Sequence, residues 1–417
     1  MTEIAQNWTA AEFEKAPTGP LVGLRVLDLS RLVAGNMTSL QLADFGADVV
    51  KVEPLPLGDP LRAWKQQGHS TFWKTYGRNK RSIGLDFRSD GAIDLLRDLM
   101  AGADVMIESF RPGTLEKMGL GADVLARDFP RLILLRVSGF GQTGPYSKRP
   151  GFGTLIEGMS GFAHRNGETG GDPLLPPLAL ADMISGLYGA NAIMMALRSR
   201  DESGRGQIID LSLLEAMVSI LGPEPLDYRI TGTPKPRVGN GSNTSSPRNV
   251  YQSRDGHFIA VSASIQSTAV RLFSAIGRDD MNTDPRYATN EARVANRHDV
   301  DAVVGAWMGA RDRDEIVKFC DEEGITAAPL YSVEDIATDR HFIDRGIFVE
   351  VPDGDLDTVP THAPLPRLSQ TPGNLWRPAP TLGEHGRDVL RDFGIDEART
   401  TQLIQNGTVL DTKTQSE

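Results

Sequence analysis

A single cysteine, Cys320, stands in 417 residues. It excludes an intrachain disulfide and any cysteine-based metal cluster, and it fits a reducing compartment such as the cytoplasm. The seven histidines are scattered and none pairs at metal-ligand spacing, so no metal is expected. There is no G-x-x-x-x-G-K-[ST] phosphate loop, no G-x-S-x-G elbow and no H-E-x-x-H. The turn after the first strand-like run reads Ser30-Arg-Leu-Val-Ala-Gly35 instead of G-x-G-x-x-G, which disfavours a conventional NAD site. Positive charge is also short, with 44 Lys and Arg against 55 Asp and Glu and a net charge of −11. That balance argues against general nucleic-acid or anionic-membrane binding and leaves room for a local basic pocket. Met1 to Gln6 lacks the basic and apolar regions of a signal peptide. No run of 18 apolar residues appears, because Ser185, Gly186, Gly189 and Asn191 interrupt the most apolar stretch; no membrane span is expected.

What remains is an ordinary globular composition, 40% hydrophobic and 24% charged, in a chain long enough for two domains. The N-terminal half alternates strands and helices. Arg25 to Leu29, Asp48 to Val52, Asp104 to Ile107, Arg131 to Val137 and Gln207 to Leu211 read as strands, with helices at Asn36 to Phe45 and Ser89 to Met100. Repeated units of this kind predict a doubly wound, mostly parallel α/β sheet. Gly222 to Pro247 is rich in turn formers and reads as a linker. The expected organisation is a large domain over 20–221, a linker over 222–247, a smaller α+β domain over 248–335, and a return linker with C-terminal helices over 336–417 that complete the large domain. The proline-bearing stretch from Val351 to Pro380 reads as an extended return, and the end of the chain as a polar tail that frays.

Four segments carry possible chemistry. Asp182 stands near the start of the apolar stretch Leu178 to Arg200, ahead of Ile193, Met194, Met195, Ala196 and Leu197, which read as buried. A carboxylate in a partly dry site is costly and can serve as a nucleophile; the plainer alternative is an acid in a first helical turn, favoured by the macrodipole. Gly77-Arg-Asn-Lys-Arg-Ser82 is a compact basic loop beside Tyr76, suited to a phosphate and a stacked base or simply to solvent. Phe110 to Gly119 follows a strand end, where open α/β sheets bind ligands. Gly239-Asn240-Gly241-Ser242 is either a closing loop or a flexible connection.

Seven segments in order, among them VLDLSRLVAGNMTSLQLADFGADVVKVEP, GRNKRSIGLDF, DVMIESFRPGTLEKMGL, LADMISGLYGA and LGEHGRDVL, resemble the family III CoA-transferases, the group containing formyl-CoA:oxalate and carnitine CoA-transferases. The resemblance implies Asp182 as nucleophile. It implies CoA contacts at Leu32, Val33 and Ala34, at Asn79, Lys80 and Arg81, and at Ser109 and Lys117, with Gly239, Asn240 and Gly241 as the nearest equivalent of a substrate loop. Lys80, Arg81 and Lys117 are then expected to serve the phosphates. The implied partners are an acyl-CoA donor and a carboxylic acid acceptor, with coenzyme A as substrate and no permanently bound cofactor. The implied assembly is a homodimer whose subunits interlock. Val33 stands where the oxalate enzyme has a substrate-touching glutamine, which argues against oxalate or formate. Arg149, Arg165 and Arg237 are candidates to bind a second carboxylate, and Gly151 to Pro177 and Gly239 to Arg248 to shape the acid pocket. The related α-methylacyl-CoA racemases pair the same aspartate with an upstream histidine. Here that position is Phe152, which leaves a racemase without half of its proton pair. A non-catalytic CoA-binding protein is the third reading, against which the retained Asp182 argues.

Overall fold

The computed structural model describes residues 8–412. The readings made for Met1 to Gln6 and for the last residues of the tail lie outside them. The described residues fall into two units. The first runs through Gly161 and adds Pro176–Gly222 and the residues from Arg340 on; the second comprises Phe162–Leu175 and Pro223–Asp339. Residues 223–247 thus belong with the second unit instead of forming a separate linker, and Phe162–Leu175 joins them.

The first unit is built on a seven-stranded sheet. Its order is Val409–Leu410, Lys80–Leu85, Asp48–Pro54, Arg25–Asp28, Val105–Glu108, Ile133–Ser138, Ile208–Ser212. All neighbours are parallel except Val409–Leu410, which runs antiparallel to Lys80–Leu85. Read in chain order, the six parallel strands lie 3-2-1-4-5-6, the doubly wound arrangement. Strand residues such as Val26, Leu27, Val50, Ile83, Met106 and Leu134 have no more than 1% of their surface exposed, as expected for a parallel sheet covered on both faces. The chain switches direction across the sheet beside Arg25–Asp28, which pairs with Asp48–Pro54 on one side and Val105–Glu108 on the other.

The helix Leu180–Ser203 runs unbroken for 24 residues. Gly186 and Gly189, read from sequence as interruptions of the apolar run, are where it touches the helix Ala34–Ala43. A Cβ on Gly186 would lie 2.5 Å from Met37 Cβ, and one on Gly189 2.5 Å from Thr38 Oγ1. Thr38 Oγ1 donates to the Gly186 carbonyl at 3.0 Å. Length and composition alone would let this helix cross a membrane, yet Gly186, Gly189, Ile193 and Ala196 are buried in the unit. The opposite face is open: Met194 and Met195, expected to be buried, are 42% and 63% exposed. The helix stops at Gly204, whose φ of 72° suits the left-handed C-terminal position.

The second unit has an antiparallel three-stranded sheet, Ala327–Pro329, Phe258–Ser262, Arg248–Gln252, whose last two strands form the expected hairpin around the Arg254-Asp-Gly256 turn. Its core gathers Ile259, Leu272, Phe273, Val304, Met308 and Ile316. The helix Glu224–Thr231 occupies part of the stretch read as linker. Likewise, the return segment carries the paired strands Phe348–Asp353 and Asp357–His362.

Candidate active site

At the carboxyl ends of Arg25–Asp28, Val105–Glu108 and Ile133–Ser138 the first unit opens a cleft of 390 Å³. The position is the topological switch point, where such sheets bind ligands. Leu32 and Ala34 line it from the first strand-end turn, Ser109, Phe110 and Arg111 from the second, and Val137 to Gly139 from the third. Asp182 reaches it from the first turn of its helix. Ser109 Oγ accepts the Arg31 N–H at 2.9 Å and so ties two of these turns together.

Asp182 is the third residue of a helix, where the macrodipole favours a negative charge. Its carboxyl pKa is nevertheless raised to about 6, first by burial and then by the negative charge of Glu157. The nearby backbone N–H groups of Ala34 and of Asp182 itself oppose the rise. Glu157 is 2% exposed, and its Oε1 accepts the Ala181 N–H at 3.1 Å. Gly153 leaves the room this needs, since a Cβ there would lie 2.2 Å from Asp182 Oδ2. Neither Glu157 nor Gly153 was singled out in the sequence. They lie on the short helix Gly153–Met159, whose start has no side-chain cap to announce it.

Of the residues expected to hold CoA, Leu32, Ala34 and Ser109 line the cleft, whereas Val33 is 1% exposed and packs with Leu61 and Trp73. The basic segment requires a correction. Lys80 and Arg81 begin a strand whose six residues are all buried. Lys80 Nζ donates to the Asn36 carbonyl and to Asn36 Oδ1, both at 3.0 Å; burial lowers its pKa to about 7. Arg81 pairs with Asp48 and Asp392 at 2.5 and 2.7 Å. Asn79 Nδ2 donates to Asp44 at 2.8 Å. These side chains are engaged inside the unit, and none of them lines the cleft. Lys117 is exposed, on the helix Thr114–Lys117, and is not part of the cleft lining. The cations that do line it are Arg31, Arg111 and Arg149, the last with its guanidinium 3.8 Å from the Tyr146 ring centre. Phe152, at 59% exposure, also lines it.

Arg165 and Arg237 belong to the second unit and are engaged there, Arg165 with Glu224 at 3.1 Å and Arg237 with the Gly171 carbonyl at 2.8 Å. In the same unit Gly239, with φ 57°, donates its N–H to the Gly167 carbonyl at 3.0 Å. Gly239 and Asn240 border a hollow with Arg248, and Gly241 accepts from Arg248 Nη1 at 2.8 Å.

Residues 21–386 match the family model described as CoA-transferase family III. The chain is 36% identical to a succinyl-CoA–D-citramalate CoA-transferase of Chloroflexus aurantiacus over 91% of this chain and 96% of that one. It is 35% identical to a succinate–glutarate CoA-transferase of Agrobacterium fabrum over 92% and 98%. A crystal structure of a CAIB/BAIF family protein from Brucella suis superposes with a TM-score of 0.79 at 34% identity, covering 90% of this chain and all of that one. The chain belongs to the family III CoA-transferases, and it is a CoA-transferase with the α/β fold of that family.

Proposed function

We propose that Asp182 is the nucleophile of a transfer between an acyl-CoA and a free dicarboxylic acid. Its carboxylate attacks the thioester carbonyl, forming a mixed anhydride and expelling CoA thiolate. The thiolate attacks the aspartyl carbonyl, releasing the donor acid and leaving an aspartyl-CoA thioester. The acceptor carboxylate attacks that carbonyl and expels the thiolate again. The thiolate then takes the acceptor's acyl carbon from the new anhydride, which restores Asp182. Each step exchanges one activated carbonyl for another, so no ATP is consumed. The observation that carries this reading is a largely buried carboxylate at the switch-point cleft, near the Ala34 and Asp182 N–H groups. Burial also keeps water from the anhydride.

The dicarboxylic class is supported by relatives named for succinyl-CoA, citramalate, malate and glutarate, and by Arg31 and Arg149 in the lining. A guanidinium fork matches a second carboxylate bidentately. We also propose a homodimer of the interlocking kind, acting in the cytoplasm. The open face of Leu180–Ser203, with Leu187, Tyr188, Met194 and Met195 exposed, is an apolar surface of the sort that subunit contacts cover. The test is a screen of acyl-CoA donors, succinyl-CoA first, against mono- and dicarboxylic acceptors, read by mass spectrometry for CoA exchange. Transfer to dicarboxylates that Asp182→Ala abolishes is the expected result; transfer confined to monocarboxylates would overturn the substrate class.

A further inference from the structure

Leu32 has a φ of 62°, a left-handed backbone that a leucine seldom adopts. Such a conformation persists where its surroundings over-determine it, and here a single carboxylate does so from both ends of the residue. Asp59 Oδ1 accepts the Leu32 N–H at 2.9 Å. Asp59 Oδ2 accepts from Asn36 Nδ2 at 2.7 Å, and the same Nδ2 group donates to the Leu32 carbonyl at 2.6 Å. Asp59 is 1% exposed and is itself fixed. Its N–H donates to Glu53 Oε2 at 2.9 Å, and its Oδ1 also takes the Leu61 N–H at 2.9 Å.

The clamp belongs to a closed ring of buried groups. Lys51 Nζ lies 3.1 Å from both Asp59 and Asp28. Asp28 lies 3.7 Å from Lys80, and Lys80 donates to Asn36, which returns to Asp59. Every one of these five side chains is buried. The opposing charges of Lys51 keep Asp59 ionised, its pKa below the ordinary carboxylate value despite burial. Two residues after Leu32, the Ala34 N–H acts on the Asp182 carboxyl and lowers its pKa, and both residues line the cleft. Leu32 lies in the turn that leads into Ala34, the first residue of its helix, so its φ helps to set where that N–H points.

We propose that Asp59 is a positioning residue that clamps Leu32 in its left-handed conformation and so keeps the Ala34 N–H aimed at Asp182. Its catalytic consequence rests on the reading of Asp182 as nucleophile. A carboxylate misplaced by about 1 Å costs on the order of 100-fold in rate, so Asp59→Ala is expected to lower kcat about 100-fold with a smaller change in KM. Glycine adopts positive φ without steric penalty, so a Leu32→Gly background removes the need for the clamp.

The experiment is a double-mutant cycle on the full chain with Asp59→Ala and Leu32→Gly. It is read by kcat and KM for CoA transfer and by carbon-13 carboxyl NMR titration of Asp182, assigned from the signal lost in Asp182→Asn. In the otherwise native chain Asp59→Ala should lower kcat and move the Asp182 titration to higher pH, because an N–H donor is lost. In the Leu32→Gly background the same substitution should cost less than about 10-fold. An equal loss in both backgrounds, or an unmoved titration, overturns the proposal and leaves Asp59 a partner of Lys51 alone, since that loss is common to both arms. Should Asp59→Ala not fold, Asp59→Leu fills the same space with no acceptor for the Leu32 N–H, and the cycle is run with it under the same criteria. Absence of CoA exchange in the unmodified protein would refute the transfer reading, while the titration would still decide the clamp.

Discussion

Glu157 accepts the backbone N–H of Ala181 at 3.1 Å, which sets a second, 2% exposed carboxylate beside Asp182. Its charge is the second cause, after burial, that lifts the Asp182 pKa to about 6. The nucleophile proposed is the ionised carboxylate, so kcat/KM should rise as pH rises through about 6. Glu157→Gln removes the repulsion and keeps the volume. The acid limb of the pH profile should therefore move to lower pH while its plateau persists. A limb that stays in place would assign the raised pKa to burial alone.

Asp182 also links activity to stability. Its folded pKa is above the ordinary value of 3.8, so the native state favours the protonated form. Its contribution to stability is fully present below about 4 and is lost as pH rises through about 6. Asp182→Asn remains neutral at every pH. It should abolish transfer, by about 10,000-fold, while being more stable than the native chain at pH 8. The difference between 3.8 and about 6 corresponds to ~3 kcal/mol as an upper figure. Thermal unfolding at pH 4 and pH 8 checks this: the variant's advantage should be confined to pH 8.

Arg111 and Arg81 should separate binding from folding. Arg111 lines the cleft and is exposed; Arg111→Ala should raise the KM for acyl-CoA about 10-fold or more, the range of a charge-assisted hydrogen bond to phosphate, with an unchanged Tm. Arg81 is paired internally with Asp48 and Asp392. Arg81→Ala should leave that KM alone and destabilise by ~1–3 kcal/mol, the cost of stranding a partly buried partner. Calorimetry with CoA and thermal unfolding distinguish the two. Weaker CoA binding by Arg81→Ala at full stability would restore the phosphate role read from the sequence.

Gly153→Ala tests the space around the nucleophile. A Cβ 2.2 Å from Asp182 Oδ2 forces the carboxylate to move. A loss of about 100-fold in kcat is expected, with acyl-CoA binding retained, since the arginines of the lining are untouched. Unchanged turnover would mean that the carboxylate has a second productive position.

The contrast between Asp182 and Lys80 explains what the sequence conveyed. The place of Asp182 near the start of a long helix was legible because its setting is local: an acid ahead of an apolar stretch. The parallel sheet was legible for a similar reason, since alternating strands and helices imply one. The burial of Lys80 and Arg81 was not legible, because a basic run looks solvated unless its partners are known. Those partners are Asp28 and Asp48 on neighbouring strands and Asn36 on the helix Ala34–Ala43. Asp59 and Glu157 escaped for the same reason: each works through a backbone N–H far away in sequence, of Leu32 and of Ala181. Gly186 and Gly189 read only as interruptions of an apolar run, because the sequence does not reveal the helix they approach.

Phe152 decides between transfer and racemisation at the same aspartate. It lines the cleft with Asp182, at the position where the racemases carry histidine, and it is 59% exposed within its chain. Racemisation removes an α-proton on one face and returns one on the other, so two groups that exchange protons must flank the α-carbon. A benzyl side chain has none to give. Transfer through Asp182 touches only the carbonyl carbon. Incubation with a 2-methylacyl-CoA in heavy water should therefore leave the α-carbon free of deuterium, while the same preparation moves CoA from succinyl-CoA to a dicarboxylate. Phe152→His would place a proton carrier opposite Asp182, and slow α-deuteration by that variant alone is the expected gain. Rapid α-exchange by the unmodified protein would show that another group completes the proton pair, and the assignment of Asp182 to acyl transfer would then have to be given up.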